Sequence, residues 1–316
     1  MKLNKILVVG INKTQLDNAT WERIKSLTNN LTIITPDDPN LDNELKDTDA
    51  LLVYFNKADR SMIDKAPNLK YIGALATGVG KIDTEYAKKK NIIVTNIPGY
   101  ATESVAEFVF AALLENLRQI SKAKIESRKK RTSEVDFKGE EIMNKKFGII
   151  GLGNIGNRVA TIARSFGAEV SYWSRNKKVL PEHKEIIYKN LANLLGESEI
   201  ISLHLALNSE TENILNKDLI EKIKNGAIFI NTAPLELLDI NAIKKRLKNK
   251  DITFIFDHTD PGDVSDEVLD ELRSFENCIS YPVLGYWTEE AKTRKQDIFV
   301  NNIRSFTEGN PQNKFN

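Results

Sequence analysis

Cysteine, net charge and an apolar leader are all scarce in this chain, and each shortage closes off a class of function. Cysteine occurs once in 316 residues, at Cys278. A single cysteine excludes a disulfide framework and a thiolate metal site and suits a reducing compartment, and no bound metal is expected. Cys278 itself reads as a packed residue in an apolar strand. Charge is nearly balanced, with 45 Lys and Arg against 44 Asp and Glu and a formal +1. That balance gives no sequence-independent pull toward nucleic acid or an anionic membrane, and neither partner is expected. The start, MKLNKILVVG, carries about six apolar residues before Gly10, far short of a signal core or a membrane span. A cytoplasmic protein is the expectation. A basic stretch, KAKIESRKKR from Lys122 to Arg131, lacks the interleaved aromatics of single-strand binders and continues a helical pattern. It reads as a solvated face or a subunit contact.

What is present is an α/β rhythm, 41% hydrophobic and long enough for about two domains. Apolar runs at Ile6 to Val9, Leu31 to Ile34, Ala50 to Tyr54, Tyr71 to Ala74 and Ile92 to Val94 read as strands. Their hydrophobicity is continuous rather than alternating, as in parallel sheets buried on both faces. Pro98-Gly99 ends this first unit. Thr102 to Arg118 then predicts a long helix, with Thr102 as its cap and a crossing between domains as its place. A second alternation runs through KFGII from Lys146, Val170 to Trp173, Ile200 to Leu203, Ala227 to Asn231 and Ile252 to Asp257. The tail from Trp287 to Glu308 has helical periodicity and is expected to return to the first domain. Gly309 to Asn316 reads as disordered. The expected fold is therefore two doubly wound parallel-sheet domains: a discontinuous flavodoxin-like substrate domain (1–97 plus 287–316) and a Rossmann cofactor domain (98–286).

GLGNIG, from Gly151 through Leu152, Gly153, Asn154 and Ile155 to Gly156, follows the strand KFGII and opens a helix. That is the setting a dinucleotide fingerprint requires. The first glycine makes the tight turn, the second admits the pyrophosphate and the third lets helix and strand pack. About 20 residues on, where an acid normally takes the ribose 2′-hydroxyl, the chain has Ser174, Arg175 and Asn176. An acid would repel a 2′-phosphate, whereas a hydroxyl and a guanidinium suit one, so NADP(H) is favoured over NAD(H).

Several further segments occur in one order and spacing: LATGVGKID (Leu75 to Asp83), VTNIPGYATESVAEF (Val94 to Phe108), SLHLALNSET (Ser202 to Thr211), KNGAIFINTA (Lys224 to Ala233), FDHTDPGD (Phe256 to Asp263) and YPVLGYWT (Tyr281 to Thr288). Together they resemble the D-2-hydroxyacid dehydrogenases, from about Ala50 to the C-terminus. The resemblance implies a cleft between two domains and a homodimer built around the cofactor domain. It also implies that Thr232, Ala233 and Asp257 line the nicotinamide end, that Leu205 and Thr211 complete the cofactor set, and that Thr77 and Gly78 belong to the substrate loop. Ser174-Arg175 is similar to the pattern of NADP-using glyoxylate and hydroxypyruvate reductases.

In that family an Arg clamps the substrate carboxylate, a His protonates the developing alkoxide, and a Glu holds the His. The motifs usually read Asn-x-x-Arg-Gly, Asp-Val followed shortly by Glu-Pro, and Pro-His before a Gly. Here the three positions are Pro234, Gly262 and Val283. Gly80 and Ala206 depart further, from the usual Asp and Pro. No arginine follows Asn231 until Arg246, on the next predicted helix, and His183 and His204 do not fill the gap. Replacement candidates are Tyr281, His258, Asp260, Tyr286 and Trp287, with ordinary packing as the plain alternative for each aromatic. The expected function is a divergent NADP(H)-binding oxidoreductase acting on a small molecule that needs little proton help, such as an iminium or conjugated carbonyl. Two alternatives stand beside it: a pseudoenzyme serving as nucleotide sensor, scaffold or partner subunit, and an ordinary 2-keto acid reductase with unrecognised residues.

Overall fold

The fold was obtained as a computed structural model, which describes residues 2–54, 56–130, 133, 137–178, 185–257 and 264–316. It has two compact units, Met1–Tyr100 with Thr288–Asn316, and Ala101–Trp287. The limits fall at Tyr100 and Trp287 instead of at 97 and 286. Local bonds explain the difference: Arg294 Nε donates to the Tyr100 carbonyl at 2.9 Å, and Trp287 N–H donates to Leu284 O at 2.9 Å.

In the first unit, β1 (Leu3–Val9), β2 (Thr28–Ile34), β3 (Ala50–Val53), β4 (Tyr71–Ala74) and β5 (Ile93–Thr95) form one sheet in the order β2-β1-β3-β4-β5. Every pairing is parallel, and the order is flavodoxin-like. The C-terminal helix Glu289–Thr307 is capped by Thr288 Oγ1, which accepts from Ala291 N–H, and has two acids in its first turn. Its Phe299, Val300 and Ile303 join Ile6, Val8 and Tyr71 in one core cluster. That burial makes the unit discontinuous in sequence.

Residues 309–316 overturn the expectation of disorder. Lys314 bridges Thr95, Phe315 N–H donates to Val94 O at 2.8 Å, and Asn316 Oδ1 accepts from Val94 N–H at 2.9 Å. Strand β5 is an edge with open backbone groups, and the polar tail satisfies them.

The second unit carries β6 (Lys146–Ile150), β7 (Glu169–Trp173), β8 (Ile187–Tyr188), β9 (Ile200–Leu203), β10 (Ala227–Asn231), β11 (Ile252–Phe256) and β12 (Cys278–Ser280). Their order is β12-β11-β10-β9-β6-β7-β8, again all parallel. The order reverses between β6 and β9, where ligands bind in open α/β sheets. Cys278 lies in β12, and burial pushes its thiol up to about 12, so it packs and does not ionise. Helix Thr102–Arg118 lies wholly in this unit and buries Val109, Phe110 and Leu113 against the sheet. Its N-cap is Ala101 with no side-chain bond, so Thr102 is the first helical residue and not the cap. Helix Ile120–Arg128 contains most of the basic stretch and buries no residue. Among the described residues no helix is long and apolar enough to cross a membrane.

Candidate cofactor and active site

The turn after β6 is shaped by what its glycines cannot exchange. Gly151 has φ +95°, and a Cβ on it would come within 2.6 Å of His204 O. A Cβ on Gly156 would lie 2.0 Å from Gly151 O. Those two glycines let the backbone close. At Gly153, in contrast, nothing lies within 4 Å of an added Cβ, and the residue is exposed. Gly153 is also the N-cap of helix Asn154–Ser165, with no side-chain cap bond and no acid in the first turn. The helix therefore presents free N–H groups and its positive dipole end to open space, which fits a pyrophosphate. Ile155 packs inward on the helix–sheet core, Asn154 is exposed, and Leu205 lies against Gly151.

Beyond β7 the chain makes a tight basic turn. Ser174 is buried and its Oγ donates to Asn176 O at 2.6 Å, so this hydroxyl shapes the turn instead of facing outward. Tyr172 is pinned to Lys178 in both directions, accepting from its N–H at 3.0 Å and donating to its carbonyl at 3.2 Å. Arg175, Asn176, Lys177 and Lys178 are exposed on this frame. Lys177 and Lys178 join Arg175 on this turn, and the run RNKK is the sequence signal for them. Arg175 forms an ion pair with Glu210. Thr211 is buried and works inside its own loop, donating to Ala206 O at 2.7 Å and accepting from Asn208 N–H at 2.8 Å.

At the ends of β9, β10 and β11 stand the residues expected near nicotinamide. Asn231 is fully buried; its Oδ1 accepts from Ala233 N–H at 2.9 Å and fixes the Thr232–Ala233 turn, while its Nδ2 has no hydrogen-bond partner among the described residues. His204 Nε2 shares a 2.8 Å hydrogen bond with Ser202 Oγ, and Thr232 Oγ1 lies 3.5 Å from its Nδ1. Burial pushes the imidazole down to about 3, so it is neutral at ordinary pH. Asp257 is buried, and its Oδ2 accepts from Gly285 N–H at 2.7 Å. Ser104 Oγ donates to Gly285 O at 2.6 Å. Both polar groups of one residue are thus held from opposite sides, and they anchor the segment that carries Val283. Sequence reading missed Ser104, whose partner is 181 positions away.

Pro234 precedes a short 3₁₀ turn, Leu235–Leu237, and Val283 is half-buried. Neither can donate or titrate. Arg246 is consumed structurally, donating to the carbonyls of Ile220 and Ile223 and to Asn225 Oδ1. Tyr281 packs edge-on against Phe108 with centroids 5.3 Å apart, and burial, with the Glu115 charge, raises its pKa. Its phenol stays protonated and keeps an O–H to donate. Tyr286 and Trp287 meet edge to face, and Trp287 is 59% exposed, so core packing does not account for it. His183, His258, Asp260 and Gly262 lie outside the described residues.

In the first unit, Thr77 Oγ1 donates to Ile97 O at 3.1 Å, and Asn96 Nδ2 donates to Thr77 O at 2.7 Å. This loop is braced, and Gly78 is exposed with open space where a Cβ would stand. An open pocket of about 610 Å³ beside it is walled by Lys57, Asp59, Gly80, Lys81 and Asp83.

Residues 110–285 match the family described as D-isomer specific 2-hydroxyacid dehydrogenase, NAD binding domain. The chain belongs to this family. Among its relatives, the hydroxypyruvate reductase of Blautia hydrogenotrophica is 35% identical over 286 residues, covering 85% of each chain. The glyoxylate reductase of Thermococcus litoralis is 34% identical, covering 84% of this chain and 82% of its own. Among solved structures, an acyclic imino acid reductase in complex with NADPH and D-Arg aligns with a TM-score of 0.85 at 28% identity, over 99% of this chain and 100% of that one. The D-lactate dehydrogenase of Aquifex aeolicus, complexed with NAD and lactic acid, aligns at 0.83 and 28% identity over 96% of both. Membership of the D-2-hydroxyacid dehydrogenases makes the protein an oxidoreductase by family, with an NAD-binding Rossmann unit.

Proposed function

We propose that this protein is an NADP(H)-dependent reductase whose substrate arrives already activated, a 2-imino acid or related iminium in place of a 2-keto acid. The carrying observation is a contrast within one unit. The open Gly153 turn and the exposed Arg175–Lys178 run suit a phosphorylated dinucleotide, while the motif resemblance puts Pro234 and Val283 where the family has its substrate Arg and its proton-donating His. Bound NADPH would supply the hydride. Thr232 and Ala233, fixed by Asn231, and Asp257, tied to Gly285, would hold the ring end of that cofactor. A ketone needs a proton at oxygen as hydride arrives, and losing that donor typically costs about 10²- to 10⁴-fold. An iminium carries its proton already and ends as a neutral amine. An apolar Val283 is then no handicap, and Tyr281 can still donate a hydrogen bond. The imino acid reductase with NADPH among the structural neighbours supports the same substrate class.

The test is NADPH consumption followed by absorbance with glyoxylate, hydroxypyruvate and pyruvate, each with and without ammonia or methylamine. Turnover is expected only when the amine is present. Rapid reduction of glyoxylate alone would instead support the plain 2-keto acid reductase, a reading favoured by the names of the curated relatives. The proposal includes a homodimer built around the cofactor unit. Helix Ile120–Arg128 supports it, because it buries nothing in the single chain and exposes Ile120 and Ile125 by half or more. A solution mass of 35.7 kDa by light scattering would exclude that assembly.

A further inference from the structure

The sheet order β9-β6-β7 places the glycine turn between two loops that emerge from the same edge of a parallel sheet. Arg175 follows β7 on one side and Glu210 follows β9 on the other, and their side chains form an ion pair. The pair therefore joins the two loops that flank the turn carrying Gly153. Both loops are braced to present these side chains. Ser174 Oγ and the Tyr172 phenol lock the first, at 2.6 Å to Asn176 O and 3.0 Å to Lys178 N. In the second, Asn208 Oδ1 accepts from Glu210 N–H at 2.9 Å, and Thr211 Oγ1 holds Ala206 O and Asn208 N. Each charged group is 65% exposed, so either can swing away without losing buried contacts.

We infer that the Arg175–Glu210 pair is a strap across the dinucleotide groove, and that Glu210 sets the discrimination between NADPH and NADH. This rests on the NADP(H) reading above. A 2′-phosphate is the stronger partner for the guanidinium, because it carries more charge and offers more acceptor oxygens than a carboxylate. To seat it, the protein must release Arg175 from Glu210 and hold the freed carboxylate near the phosphate, two unfavourable terms that NADH does not meet. A 2′-hydroxyl leaves the strap in place. Glu210 thus tempers the NADPH preference that Arg175, Lys177 and Lys178 create.

The experiment measures dissociation constants of NADPH and NADH by quenching of protein fluorescence for the full chain and for E210Q and R175Q. Exposed ion pairs are worth little individually, so the expected change is modest: E210Q tightens NADPH about three- to tenfold and leaves NADH within about twofold. R175Q weakens NADPH alone, by about tenfold or more. If R175Q behaves so but E210Q shifts neither cofactor, or shifts both alike, the strap is wrong while the phosphate site stands. If R175Q leaves NADPH unchanged, the phosphate site itself is wrong and the strap falls with it.

Discussion

Pro234 and Val283 carry no side-chain group that can clamp a carboxylate or move a proton, and on the proposed reading this is the most consequential property of the candidate site. Their effect can be reversed by design. The triple variant P234R/G262E/V283H should raise kcat/KM for glyoxylate by about 10²-fold or more, whereas V283H alone should gain less than about tenfold, because an unheld His without a clamp acts poorly. Equal gains from the single and triple variants would show that these positions do not form one unit. His204 gives a prediction in pH. Its ordinary pKa of 6.5 falls to about 3 on burial, so between those values the unfolded chain binds a proton that the folded one refuses. Stability should therefore fall as pH drops through 6.5 toward 3, and H204N should flatten that slope. Urea midpoints at pH 7 and pH 5 for both proteins would check it; parallel shifts would exclude His204 as the cause.

Between residue and domain lies the strand–turn–helix of β6, the glycine turn and helix Asn154–Ser165. Its three glycines look alike in sequence and differ in the fold. G153A places a methyl in open space, so the melting temperature should stay within about 2 °C, while dinucleotide affinity falls about tenfold or more as the methyl meets the phosphates. G156A drives a methyl to 2.0 Å from a backbone oxygen and should cost about 3 kcal/mol of stability as well. Calorimetric melting of both variants separates the roles, and equal destabilisation would contradict them. Here the order of strand, glycines and helix was legible, since each element follows from a local pattern. The partners of the turn were not. His204 O against Gly151 and Glu210 against Arg175 are contacts made by the sheet order, which no local pattern encodes.

For the molecule as a whole, residues 309–316 close the β5 edge of the first unit. Deleting 310–316 removes the Phe315 backbone bond and the Asn316 side-chain bonds to the backbone at β5 and should cost about 1–3 kcal/mol, with concentration-dependent aggregation from the opened edge. An unchanged urea midpoint and a clear solution would contradict this. The polar composition of that tail suggested disorder; its order comes from the hydrogen-bonding groups β5 leaves open. By itself the sequence determined the two parallel-sheet units, the dinucleotide turn and the family, because continuous apolar runs, glycine spacing and motif order are local properties. Only the tertiary structure decided that Ser174 faces inward, that Ser104 and Asp257 grip Gly285, that Arg246 is consumed by carbonyls and that Glu210 reaches Arg175. Each of those depends on which partner a side chain meets in the fold, and apart from Ser174 with Asn176 those partners lie far apart along the chain.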